Sequence, residues 1–166
     1  HLLSYRRQGK VEKVLTDYDA TYAMREAVNI VSKLIPSNIE LKVNICKTPY
    51  YICGQVGALN QILLNLTTNA VHAMENGGKL SIQFGLSTDD EKFVRLVVED
   101  TGGGIPNEIK MQIFQPFFTT KPGQERSGMG FSFMESFMDE VDIYSKVGDG
   151  TRVTMTKYIG REACGQ

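Results

Sequence analysis

A chain of 166 residues, 42% hydrophobic and 22% charged, has the length and composition of one globular domain able to bury a core. Its formal net charge of -1 provides no basic face for nucleic acid and no polybasic stretch for an anionic membrane. Three cysteines (Cys46, Cys53, Cys164) without a C-x-x-C pair, and only two histidines, give no zinc spacing and suggest a reduced, cytoplasmic chain; no apolar run reaches membrane-spanning length and no signal-peptide pattern heads the sequence.

Residues 1–20 read as a linker carrying the tail of an upstream helix, with the charged stretch Arg6 to Lys13 and an extended Val14-Leu15-Thr16. Ala23, Ala27, Ile30, Val31 and Leu34 then recur at helical spacing over residues 21–34, and Pro36 stops that helix. Ile39, Leu41, Val43 and Ile45 alternate as a strand, and Tyr50 to Cys53 forms a second, β-rich run. Residues 55–75 return to helical period up to Gly77-Gly78, and 79–87 with 92–100 predict a hairpin around the polar turn Thr88 to Glu91. From Asp100 to Gly130 the chain is rich in Gly, Pro, Thr and Gln, with one short helix near Asn107 to Ile113; so long a loop inside a domain is usually functional. A helix at 131–140 and strands at 141–146 and 151–159, joined at Gly148-Asp149-Gly150, complete the chain before the tail at 160–166. The expected fold is α+β: a two-layer sandwich with a mixed, mostly antiparallel sheet covered on one face by about three helices.

Four constellations could carry chemistry. On the helix over 55–75, Leu59, Leu63, Leu66, Ala70 and Met74 form the core face, and Gln61, Asn65, Asn69 and His72 a polar stripe beside it. Asparagine is a poor residue in mid-helix, so two of them four apart at the edge of a buried face ask for a role. Their amide oxygens could share a magnesium ion; the plainer reading is a solvated face. In the strand ending at Asp100, Val94, Leu96 and Val98 share one face with the acid, which would be costly to bury without a donor to meet it. An adenine amino group is such a donor, and Thr101-Gly102-Gly103-Gly104-Ile105-Pro106 would let it approach; an acid capping a tight turn is the alternative. Arg126-Ser127-Gly128-Met129-Gly130 opens a helix whose N–H groups could face a phosphate. Gly123 to Gly128 has P-loop glycine spacing, but Met129-Gly130 replaces the required Lys-Ser/Thr, and Gly102 to Asn107 does not complete a dinucleotide motif. Between the glycine sites, Phe114-Gln115-Pro116-Phe117-Phe118-Thr119-Thr120-Lys121-Pro122-Gly123 suits a hinged flap over a triphosphate.

In their order and spacing these elements resemble the nucleotide-binding boxes of the GHKL ATPase and kinase superfamily over about residues 21–159. The resemblance implies a mobile ATP lid and the cofactors ATP and Mg2+, with Asn65 and Asn69 holding the metal, Asp100 reading adenine, and Thr151 assisting through water. It also implies that Gly102 and Gly104 admit the base, that Ala73 and Ile105 belong to the cofactor site, that His72 contacts phosphate, and that Ser127, Gly128, Met129, Gly130 and Phe131 wrap the phosphates. Thr119 and Thr120 would lie in the lid, with Lys121 and Arg126 approaching the β and γ phosphates.

Two families compete within the superfamily. Residues 117–159 look very much like a sporulation anti-sigma factor serine kinase, whose partners would be a sigma factor and an anti-anti-sigma protein. Such kinases place a glutamate base where this chain has Asn65, and an amide cannot take a proton from serine. Histidine kinases carry asparagine there, because their acceptor imidazole is itself the nucleophile. The stub Leu2-Leu3-Ser4-Tyr5-Arg6-Arg7 also looks like the end of a dimerisation helix. The preferred expectation is therefore the catalytic domain of a sensor histidine kinase. Its parent would be a homodimer, transferring the γ-phosphate of Mg-ATP to a histidine on an upstream domain and thence to a response regulator; Asn65, Lys121 and Arg126 would be the catalytic groups. A nucleotide-gated binding module without transfer is the third class. Phe131 and Ser132 depart from the leucine and glycine or alanine usual in histidine kinases, which would stiffen the lid hinge.

Overall fold

The computed structural model describes residues 15–103, 134, 137–159 and 164 of the chain. Two sheets and two complete helices occupy these residues: β1 (Thr16–Asp19), α1 (Ala20–Ser32), β2 (Ile39–Ile45), β3 (Tyr51–Gly54), α2 (Ala58–Ala73), β4 (Gly78–Leu86), β5 (Phe93–Asp100), β6 (Glu140–Lys146) and β7 (Gly150–Tyr158). The five-stranded sheet runs β2-β4-β5-β7-β6, with β2 parallel to β4 and every other pair antiparallel, so it is mixed and mostly antiparallel as the sequence predicts. β1 and β3 form a separate antiparallel pair.

The alternation legible in the sequence sets the two layers. Leu80, Ile82 and Phe84 on β4, Val94, Leu96 and Val98 on β5, and Val153 and Met155 on β7 are buried. They pack against Met24, Ala27 and Val31 of α1 and Leu59, Ile62, Leu63, Leu66 and Ala70 of α2, a two-layer α+β core. Met134 and Met138 join the same core. The predicted core face of the second helix is buried throughout, and Ile62 and Thr67 lie with it.

Caps explain where the helices begin and end. Asp19 accepts from the backbone N–H of Tyr22 at 3.1 Å and so starts α1 at the end of β1. Inside α1 the buried Thr21 hydroxyl donates to the Thr48 carbonyl (2.8 Å) and accepts from Tyr50 N–H (3.2 Å), which ties the helix to the β2–β3 loop and leaves no unmet polar cost. α2 ends at Ala73, and the N–H of Gly77 closes the turn on Met74 O at 2.9 Å.

Two features differ from the expectations. Thr16–Asp19, grouped with the linker in the sequence reading, form a strand, because Thr16 to Asp19 register with Gly54 to Tyr51. The expected reduced chain is corrected as well: Cys53 and Cys164 form a disulfide across 111 residues, with Cα atoms 5.0 Å apart. The fold brings the chain beyond β7 to β3, and a separation of that size leaves no trace in the sequence. Among the described residues, no helix is long and apolar enough to cross a membrane.

Candidate functional site

The candidate site lies where β5 ends and β7 begins, beneath the C-terminal turns of α2. Asp100 closes β5 on the helix-facing side, continuing the parity of Val94, Leu96 and Val98, and pairs in register with Thr151 of β7. The carboxylate is half-buried; its Oδ1 accepts from the N–H of Gly102 at 2.8 Å. Burial pushes the Asp100 carboxyl above the ordinary carboxylate range; the backbone N–H groups of Gly102 and Thr151 oppose the shift and the adjacent charge of Glu99 adds to it. An acid held in this way accepts hydrogen bonds strongly and is short of solvent, the condition under which it recognises a ligand N–H.

Several neighbours clamp the segment around and after Asp100. Thr101 Oγ1 accepts from Lys79 N–H at 3.1 Å and contacts Met74 Sδ at 3.6 Å, joining the start of β4 to the end of α2. Gly102 runs so close to α2 that an added Cβ would meet the Ala73 carbonyl oxygen at 2.7 Å. The carbonyl of Gly103 accepts from Gly148 N–H at 2.8 Å, which ties the loop to the β6–β7 turn. Gly150, in that turn, has φ of 96° and abuts the Asp100 carbonyl, so both its conformation and its space require glycine.

On α2, Gln61, Asn65, Asn69 and His72 are all half-buried, the stripe beside the core face that the periodicity predicts. Among the described residues the buried Asn65 Nδ2 atom finds no hydrogen-bond partner. Two neutral carboxamides suit a hard divalent cation only in company with anionic oxygens, because magnesium takes oxygen donors and usually shares them with substrate phosphates. The donor set fits a magnesium held jointly with a polyphosphate. Ala73, exposed at the end of α2, borders Gly102.

The structure thus brings Asp100, Gly102, Thr151 and Ala73 to one end of the sheet and carries Asn65, Asn69 and His72 on the helix above it. Gly104, Ile105, Thr119, Thr120, Lys121, Arg126, Ser127, Gly128, Met129, Gly130 and Phe131 lie outside the described residues, as does the expected lid. Sequence reasoning missed Thr101, Met74 as its contact, and Ser145, whose hydroxyl lies 3.0 Å from Thr151 Oγ1. The available signal for Ser145 was a hydroxyl at an inward position of an alternating strand.

Residues 54–159 match the family model of histidine kinase-, DNA gyrase B- and HSP90-like ATPases. An anti-sigma F factor of Bacillus licheniformis is 39% identical over 104 residues, 62% of this chain and 69% of that protein. One from Anoxybacillus flavithermus is 42% identical over 102 residues, 61% and 68% of the respective chains. Among solved structures, the catalytic domain of the histidine kinase ThkA superposes with a TM-score of 0.69 and 27% identity over 88% of this chain and 96% of its own. These sequence relatives favour the anti-sigma alternative over the preferred histidine kinase reading, while the fold matches a histidine kinase catalytic domain. With more than half its length matched and the expected acid, glycines and helix at one sheet end, the chain belongs to the histidine kinase-, DNA gyrase B- and HSP90-like (GHKL) ATPase family.

Proposed function

We propose that this chain is a magnesium-dependent, ATP-binding protein kinase domain of the anti-sigma type, acting on a serine of an anti-anti-sigma partner and binding a sigma factor. The observation that carries the nucleotide reading is Asp100: a half-buried carboxylate held by Gly102 N–H at 2.8 Å and registered with Thr151, aimed to the side of the sheet where α2 presents Asn65 and Asn69. Asp100 would accept from the adenine amino group, with Thr151 beside it. Gly102 would leave room for the base; a Cβ there would also strike Ala73 at the end of α2. Asn65 and Asn69 would hold magnesium against the phosphates, His72 would contact them from the last turn of α2, and Lys121 and Arg126 would neutralise the γ-phosphate as it leaves. Bound magnesium supplies charge neutralisation on the triphosphate. The chain's own contribution is positioning and electrostatic stabilisation. The likeness of 39% and 42% to anti-sigma F factors supports the acceptor assignment.

One observation favours a second reading, transfer to a histidine on a separate helical domain and then to a response regulator. Position 65 is a carboxamide, which cannot take the proton of an attacking serine, whereas an imidazole acceptor needs no base there. The fold likeness to ThkA agrees with it. Incubation with γ-labelled ATP separates the two: acid-stable phosphoserine on an anti-anti-sigma protein supports the proposal, and acid-labile phosphohistidine on a dimerisation domain supports the second reading. Absence of any calorimetric heat with Mg-ATP in folded protein would remove both.

A further inference from the structure

Outside the candidate site, one group of metal-ligating side chains stands together on the β1–β3 ribbon. Asp17 and Cys53 oppose one another across its ladder, where cross-strand side chains share a face with Cβ atoms about 4.5 to 5.5 Å apart. Cys164 reaches the same point from beyond β7, its Cα 5.0 Å from that of Cys53. A carboxylate oxygen of Asp17 and the two sulfurs all lie within 4.8 Å of one another, with Asp17 exposed and both cysteines half-buried. Zinc bonds thiolate sulfur at about 2.3 Å and carboxylate oxygen at about 2.0 to 2.2 Å, so ligand atoms on one tetrahedral ion stand roughly 3.5 to 3.8 Å apart. Opening the disulfide and small side-chain rotations bring the three groups to that spacing. A disulfide sulfur carries no proton, so the Asp17 carboxylate takes no hydrogen bond from the oxidised pair. Two thiolates and a carboxylate hold a borderline-soft divalent cation such as zinc and leave its fourth position to water. The sequence shows no zinc spacing because the ligands come from three separate stretches of chain.

We propose that Asp17, Cys53 and Cys164 form a zinc site in the reduced chain, so that disulfide and metal are alternative fastenings of the chain beyond β7 to β3. A dithiol reductant opens the disulfide by exchange: its two sulfurs pair with each other, and the two electrons and two protons it gives up leave Cys53 and Cys164 as thiols. Zinc then bonds both sulfurs and an Asp17 oxygen, and the two thiol protons pass to solvent. The oxidised chain has no thiolate to offer. The site is independent of the nucleotide reading.

The test uses the full chain, reduced by a dithiol, freed of it by desalting under nitrogen, and titrated with zinc in a calorimeter and with cobalt(II) in a spectrophotometer. One ion per chain is expected, with the strong visible bands of tetrahedral cobalt and a sulfur-to-metal charge-transfer band in the near ultraviolet; the oxidised chain should give neither. Asp17→Ala, at an exposed position, should weaken zinc binding at least about tenfold, the loss that follows removal even of a group that only supports a ligand. Cys164→Ser should remove the tetrahedral cobalt spectrum, and Cys46→Ser, which alters the one other thiol, should bind zinc as the wild type does. Zinc should also raise the melting temperature of the reduced chain, because only the folded state assembles the site. Equal zinc binding by the oxidised chain, or binding that survives both Asp17→Ala and Cys164→Ser, assigns the metal to other groups and overturns the proposal, as does a reduced, folded chain that takes up no cobalt.

Discussion

At its Phe93–Tyr158 end the β5–β7 ladder is closed by an edge-to-face aromatic pair with ring centroids 5.8 Å apart; at its Asp100–Thr151 end it stops in a desolvated acid beside a hydroxyl, between glycines. The first end is fastened further. Arg95 reaches Ser87, Thr88 and Asp89 in the β4–β5 turn, Ile159 N–H donates to Lys92 O at 2.9 Å, and the chain beyond β7 is joined to β3 through Cys164 and Cys53. The second end is held tightly by backbone, through Gly102, Gly103, Gly148 and Gly150, but carries few bulky side chains. The same alternating strands therefore finish once in apolar closure and once in an open polar cradle. Rings fill the space between strands at one end, and at the other glycines let neighbouring backbone close in where a Cβ would clash.

The largest expected break in this division is at the fastened end. Reducing the Cys53–Cys164 bond, or Cys53→Ser, should cost about 2 to 4 kcal/mol, because it releases a constraint on a very long loop. Thermal melts should fall by roughly 5 to 15 °C, with Mg-ATP affinity measured below the melt unchanged; a matching loss of affinity would show that the two ends are not separable. At the open end, Gly150→Ala forces a side chain into a φ of 96° against the Asp100 carbonyl. A cost of about 1 to 3 kcal/mol in stability is expected from the backbone strain alone, and here nucleotide affinity should fall with it.

Asp100→Asn sharpens the comparison because stability and affinity should move in opposite directions. Affinity for Mg-ATP should weaken by about 1 to 3 kcal/mol in calorimetry, the effect of a spoiled buried hydrogen bond. The unliganded protein should respond the other way. The folded-state pKa of Asp100 is raised from its ordinary 3.8, so the native state holds this proton more tightly than the unfolded chain does. Its favourable contribution is complete below 3.8 and is lost as pH climbs through the raised value. Asp100→Asn should thus gain melting temperature relative to wild type between acidic and neutral pH, and a difference independent of pH would contradict the burial of the acid. The smallest effect belongs to Arg95→Met at the fastened end: its ion pair with Asp89 at 3.0 Å has a mostly exposed acid, so a double-mutant cycle should give a coupling under about 1 kcal/mol.

Much of this was written locally. Alternation in β4 and β5 fixed which side chains face the helices, because a strand exposes alternate residues to opposite faces. The spacing of Leu59, Leu63, Leu66 and Ala70 likewise fixed the buried face of α2 and, beside it, the stripe of Asn65 and Asn69. Even Asp100 could be placed, since its parity continues that of three buried residues. Each of these is a property of neighbours in sequence with a fixed geometric period.

Partners set by long-range closure were not written there. β1 pairs with β3 only because the chain returns 32 to 38 residues later (Asp19 to Tyr51, Thr16 to Gly54), the disulfide spans 111 residues, and Thr101 meets Met74 across the turn into β4. Ser145 faces Thr151 across a short, locally predicted hairpin, but the two come beside Asp100 only through the long-range pairing of β7 with β5. The amino-acid sequence by itself determined the elements, their buried faces and the residue types offered to a nucleotide. The tertiary structure alone decided which of those residues are neighbours, because hydrogen-bond direction and burial at the sheet end depend on strands that no local period connects.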